Sequence, residues 1–244
     1  MADPAPKPQE DLEDTVRRAE PDRWLASRFI PMGQGRDAAI AIYAFDHVLA
    51  RVPFQVSEPL MGEIRLTWWG EVLDEIYEGR PVRAHPVALA LADAIHAFDL
   101  ARSPLDAMVE ARMGDIAPEP FAGEAAVAAY ADMTSGAVMQ AVAQALGAHA
   151  NLKAAQFAGR AYGLAVMGHR RAIGGKTRLP EGLDVRSLMQ DALRQARVGL
   201  EALPVQAFPA LAYAGLAPRY ARGARMSMLE KQLRLVWATA SGRL

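Results

Sequence analysis

"SEPLMGEIRLTWWGEVLDEIYEG", residues 57–79, decides the fold class. Pro59 suits the first turn of a helix, because the N–H it lacks would have no intrahelical partner there. Ser57 is the expected N-cap, Glu58 suits the opening turn, and Gly79 suits the far end. Leu60, Ile64, Trp68, Val72 and Ile76 recur at four-residue steps and predict one apolar face. Trp69 points to another side and suits a helix crossing or a cavity wall. Asp74, Glu75 and Glu78 fall on the polar side and read as a solvated face.

The same helical grammar recurs along the chain. Ala-rich stretches with helical spacing predict further helices over about 33–52, 86–99, 104–116, 123–147, 152–172, 185–202 and 224–240. Alternating β-branched runs are nearly absent. "PVRAHP" at 81–86 and "APEP" at 117–120 read as connections, and "IGGKTRLPEGLD" at 173–184 as an irregular loop. The expected fold is all-α, with about eight helices in one compact domain. Small residues in "DMTSGAVM" are expected to let two helices approach closely.

Composition narrows the function. Of 244 residues, 52% are hydrophobic and 23% charged, which is globular. The formal net charge of -1 removes the whole-molecule electrostatic case for nucleic acid. The lack of Cys excludes disulfides, thiolate metal sites and a Cys nucleophile. Residues 1–24, "MADPAPKPQEDLEDTVRRAEPDRW", lack the apolar core of a secretory signal. Their prolines and acids predict a flexible tail over 1–21, followed by a helical domain over 22–244, and the expected location is cytoplasmic.

Two groups of residues invite a chemical reading. Asp46 sits in the apolar stretch "YAFDHVLARVP" at 43–53, yet Leu49 and Ala50, one turn on, cannot ligate a metal. A divalent ion wants several oxygen ligands, so an isolated or ion-paired Asp46 is preferred over half of a metal site. Arg51 follows it. "GHRRAIGGKTRLP" brings His169, Arg170, Arg171, Lys176 and Arg178 together beside a Gly-Gly turn. Arginines take an anion bidentately, but cations also suit the C-terminal end of a helix dipole, and both readings stay open. No P-loop and no G-x-S-x-G elbow occurs. The final segment, with Arg225, Lys231 and Arg234 among Leu229, Leu233 and Trp237, fits a membrane-surface helix or a last helix packed on the core, with packing preferred.

The order of these pieces resembles the squalene/phytoene synthase family, the head-to-head trans-prenyltransferases, from about Arg23 to Pro209. "IYAF" at 42–45, "RLTWWGEVLDEIYEGRPVRAHPVALAL" at 65–91, "ARMGDI" at 111–116, "YADMTSGAVMQ" at 130–140 and "GRAYGLAVMGHRRAIGGKTRLP" at 159–180 carry the resemblance. Active members carry an acid cluster after the "YAF" element. Here its positions fall on Ala50, Arg51 and Phe54, and Val166 to Gly175 contains no acid where the second cluster belongs. The resemblance therefore implies that both metal motifs are degenerate, with no catalytic residues, no metal and no cofactor. It is most similar to the non-catalytic branch, that of respiratory complex I assembly. It implies a protein partner (a respiratory complex subunit or assembly factor), compatibility with a prenyl or lipid-like ligand, and at most peripheral contact with the inner membrane. The fold it implies is a single isoprenoid-synthase-like helical bundle around a central cavity, with Arg51, His169, Arg170, Arg171 and Lys176 as the expected pocket or anion-binding residues. The alternative is an active prenyltransferase with unusual Mg²⁺ ligation, in which Asp46 and Asp115 converge and a further acid completes the shell.

Overall fold

Prolines open several of the helices. In this computed structural model, which describes residues 8–244, Pro21, Pro59 and Pro86 each occupy a first helical turn. The helices are α1 (Pro8–Ala19), α2 (Pro21–Ser27), α3 (Gln34–Gln55), α4 (Pro59–Tyr77), α5 (Pro86–Phe98), α6 (Arg102–Met113), α7 (Glu124–Ala131), α8 (Ala137–Ala145), α9 (Leu152–Ala172), α10 (Val185–Gly199), the short α11 (Phe208–Leu211) and α12 (Ala217–Tyr220), and α13 (Met228–Ser241). A five-residue π-helical segment, Asp132–Gly136, joins α7 to α8. Among the described residues there is no strand. The expected all-α bundle is the observed one.

α3 is the axis. Every residue from Ala38 to Asp46 on it is buried, as a helix surrounded by others requires. α1, α2, α4, α5, α6 and α8 all pack against it. α9 packs on α10 on one side and on the π segment and α8 on the other. Its approach is closest at Gly159, where an added Cβ would stand 2.6 Å from the Gly136 Cα and nearer still to the Ser135 backbone oxygen. The small residues of "DMTSGAVM" do permit a close crossing, and a π bulge supplies the backbone on the other side of it.

Three expectations need correction. The apolar face of α4 is not the four-residue series. Leu60 and Ile64 are exposed; Val72 and Ile76 of that series are buried, and Leu66, Trp69 and Leu73 are buried with them. A strict four-residue step walks round a helix by about 40° each time, so five such residues spiral off any one face. Trp69 is the core aromatic; it meets Phe45 edge-on at 5.5 Å and His85 at 5.0 Å. The N-cap is Glu58, not Ser57. Glu75, expected in solvent, is buried and accepts 2.7 Å from Arg83.

The tail expected over 1–21 contains α1, whose Leu12 and Val16 are buried in the core; its first seven residues lie outside the described ones. The apolar side of α1 is carried by only two large residues amid acids, which is why its composition reads as tail. Among the described residues, no helix is long and apolar enough to cross a membrane.

Candidate functional site

Asp46 lies on the buried side of α3, only 2% exposed. A bare carboxylate there would be strongly disfavoured. Two guanidiniums meet it. Arg23 of α2 donates to Oδ2 at 2.6 Å, and Arg112 of α6 donates to Oδ1 at 3.2 Å. Burial alone would raise the Asp46 pKa, but the attraction of Arg23 and Arg112 outweighs it and holds the group down at about 2. Burial likewise works against the charge on Arg23. Glu20, at 3.5 Å, and Asp46 more than offset that and push the Arg23 pKa well above its ordinary value.

Arg112 continues the chain of charges. Its second terminal nitrogen donates to the Tyr130 hydroxyl at 2.7 Å and to Asp115 at 3.2 Å. The Tyr130 hydroxyl donates to the same Asp115 oxygen at 2.7 Å, and burial keeps that phenol protonated by raising its pKa. The other Asp115 oxygen accepts from Arg178 at 2.8 Å. Arg178 also donates to the Glu119 carbonyl at 2.7 Å and lies over the Phe121 ring at 4.3 Å. The result is a continuous line, Arg23–Asp46–Arg112–Asp115–Arg178, running from α2 through α3 and α6 to the 173–184 loop. Nearby, both carboxylate oxygens of Asp132 in the π segment accept from one edge of the Arg160 guanidinium, its Nε and Nη2.

Every one of the four carboxylate oxygens on Asp46 and Asp115 accepts from an arginine. Asp46 and Asp115 do approach each other, as the alternative reading expects, but the cation between them is Arg112. Among the described residues, no group of three His, Asp or Glu side chains is placed to hold a metal ion. A divalent ion draws its affinity from several carboxylate oxygens, and those here already face fixed positive charge. The residues present do not fit such an ion.

The other sequence candidates are dispersed. Arg51 is exposed on α3, and the Gln55 side-chain oxygen, in the amide orientation that satisfies both groups, accepts from it at 3.1 and 3.2 Å. Arg170 and Lys176 are exposed. Arg171 holds the loop after α9, donating to the Leu183 carbonyl at 2.9 Å. His169 is half-buried with its ring against Tyr220, 5.3 Å away. Of the cations around the Gly-Gly turn, Arg178 joins the buried line. The sequence gives no sign that Arg23 and Arg112 belong to it, since their shared partner Asp46 lies 23 and 66 residues away.

A second buried acid, Asp22 on α2, gathers distant segments. It accepts from Tyr162 at 2.9 Å and Tyr220 at 2.6 Å. Lys231 of α13 pairs with its other oxygen at 2.7 Å.

The geometry can now be set beside known proteins. The family profile described as squalene/phytoene synthase matches residues 16–174. Two mammalian relatives, both described as NADH dehydrogenase (ubiquinone) complex I, assembly factor 6, are 25% identical over 228 residues, spanning 81% of this chain and 68% of each relative; they come from Bos taurus and Homo sapiens. Among solved structures, a dehydrosqualene synthase in complex with ligand aligns with a TM-score of 0.70 at 15% identity, covering 96% of both chains. A squalene synthase, HpnC, from Alicyclobacillus acidocaldarius aligns at 0.69 and 14% identity, covering 96% of this chain and 94% of its own. The structural likeness establishes the shared helical fold, and the profile covers well over half of the sequence: this chain belongs to the squalene/phytoene synthase family.

Proposed function

We propose that this chain is a non-catalytic member of its family that assists the assembly of respiratory complex I through a protein partner. One observation carries the reading: the buried Asp46 and the partly buried Asp115 are each neutralised by two arginines. Leaving-group chemistry on a prenyl diphosphate needs cations that neutralise the departing phosphates, held by carboxylates free to ligate. Arginines fixed among the acids make the interior a structural element. The family positions expected to hold acids contribute Arg51 and a Phe54 that is 78% exposed. The two assembly-factor relatives support the same reading.

A partner needs a surface. Phe54 at the end of α3 and Leu60, Met61 and Ile64 on the first turns of α4 are exposed large apolar side chains, the kind of group a protein interface covers.

The test has two arms. Purified protein incubated with Mg²⁺ and farnesyl or geranylgeranyl diphosphate is expected to release no pyrophosphate above blank; release above blank would establish the active prenyltransferase instead. Deleting the gene is expected to lower the amount of assembled complex I, and normal levels in the deletion strain would refute the assembly role.

A further inference from the structure

α13 is anchored from one side only. Its buried residues are Leu235 and Ala238. Lys231, on the same side, reaches inward to Asp22, and the Arg197 guanidinium of α10 holds the Leu244 carbonyl at 2.6 Å just beyond the helix. At about 100° per residue, Leu229, Leu233, Val236 and Trp237 fall on the opposite side of the helix. All four are half or more exposed: 63%, 62%, 50% and 60%. This inverts the amphipathic arrangement of a packed last helix, which would turn its large apolar residues inward. The strip extends sideways, because Leu229, Leu233 and Val236 share a surface recess with Trp24 of α2 and Phe29 just after it.

The charge around this strip is lopsided. Residues 219–244 carry six basic groups, Arg219, Arg222, Arg225, Lys231, Arg234 and Arg243, against one acid, Glu230: a formal +5 in a chain whose total is -1. Glu230 is already paired with Arg219 at 3.0 Å and Arg234 at 3.1 Å. Arg222 and Arg225 before the helix and Arg243 after it are exposed and have no acidic partner within salt-bridge distance among the described residues. An outward ridge of Leu, Val and Trp bordered by arginines matches the interface of an anionic bilayer, where apolar side chains enter the acyl boundary and cations meet phosphates.

We propose that α13 docks this protein flat on an anionic membrane surface, with Leu229, Leu233, Val236 and Trp237 entering the lipid and Arg225, just before the helix, and Arg243, which shares a recess with Leu229, Leu233 and Trp237, contacting headgroup phosphates. The docking is independent of the assembly role above. The full chain is tested by co-sedimentation with vesicles of phosphatidylcholine alone and with vesicles in which a third of the lipid is phosphatidylglycerol. Binding is expected to the anionic vesicles, weakening as salt is raised, because exposed charges are screened. Replacing Arg225 and Arg243 together by Gln is expected to weaken it roughly 30-fold, at about fivefold for each cation. Leu233→Asp, at an exposed position, is expected to abolish it with the far-ultraviolet circular dichroism unchanged. Equal binding to both vesicle types, no binding to either, or an unaffected Leu233→Asp variant would each overturn the proposal. So would a Leu233→Asp variant that splits a dimer in solution yet still sediments with vesicles, which would make the ridge a contact between copies.

Discussion

Replacing Asp46 by Ala removes the carboxylate shared by Arg23 and Arg112 and leaves two guanidiniums facing each other in the interior. Asp46 and Arg23 are buried to 2% and 4%, so water cannot take over the lost interaction. Breaking a buried pair in this way costs about 3–5 kcal/mol. For a domain of this size, each kcal/mol lowers the melting temperature by roughly 2–4 °C, so Asp46→Ala should melt about 6–20 °C below the parent. The proton equilibrium gives an independent figure. The Asp46 pKa falls from 3.8 in the unfolded chain to about 2 in the folded one, which corresponds to roughly 2 kcal/mol favouring the folded state. That figure is smaller because protonation leaves a neutral hydrogen-bonding group in place, whereas truncation leaves nothing. A depressed pKa means the contribution is complete above the unfolded value and is lost as pH falls from about 4 through 2. The stability gap between the parent and Asp46→Asn should therefore close over that window and stay constant above it. Thermal melts followed by far-ultraviolet circular dichroism across pH measure both effects. A shift of less than ~2 °C for Asp46→Ala, or a parent–Asn gap that does not change with pH, would refute the idea that Asp46 is the counter-charge holding α2, α3 and α6 together.

Gly159→Ala should be among the most damaging small substitutions, lowering stability by about 1–3 kcal/mol or more in a chemical-denaturation series, since its methyl meets backbone atoms of Ser135 and Gly136 that have no rotamer to escape into. Arg178→Ala should free the 173–184 loop from Asp115 and Glu119, and limited trypsin digestion should then cleave at Lys176 several-fold faster; an unchanged rate would show that the loop is held by other contacts. Millimolar Mg²⁺ should leave the melting temperature where it is, because an ion bound at a hundred times its dissociation constant would add about 2.7 kcal/mol and a rise of several degrees.

The sequence carries the class of the fold more plainly than its center. Pro59 and Gly79 bracket α4 through local backbone rules, and both ends are legible without knowing what the helix touches. Its inner face is not, because the exposed Leu60 and Ile64 and the buried Leu66 and Leu73 are chemically alike. The candidate site divides in the same way. Asp46 stands out as an acid in an apolar run, and an ion-paired Asp46 is what the structure contains. Its partners cannot be read from spacing, since Arg23 sits in a helix that looks like the start of the fold and Arg112 in a helix with ordinary surface charges. Arg178 appears in a cluster of cations whose members share a stretch of sequence but not a direction. Pairing across the bundle is set by how helices cross, and no local pattern records it.

Asp22 has a bearing on the order in which the molecule is made. Its hydroxyl donor Tyr220 lies 198 residues downstream. A ribosome adding roughly 5–20 residues per second needs about 10–40 s to travel from one to the other. Throughout that interval α2 carries a carboxylate whose lysine and one of whose tyrosines have not been synthesised. α2 therefore has a reason to stay loosely seated until α13 emerges, and the later-made segment works as a late clasp on the earlier one.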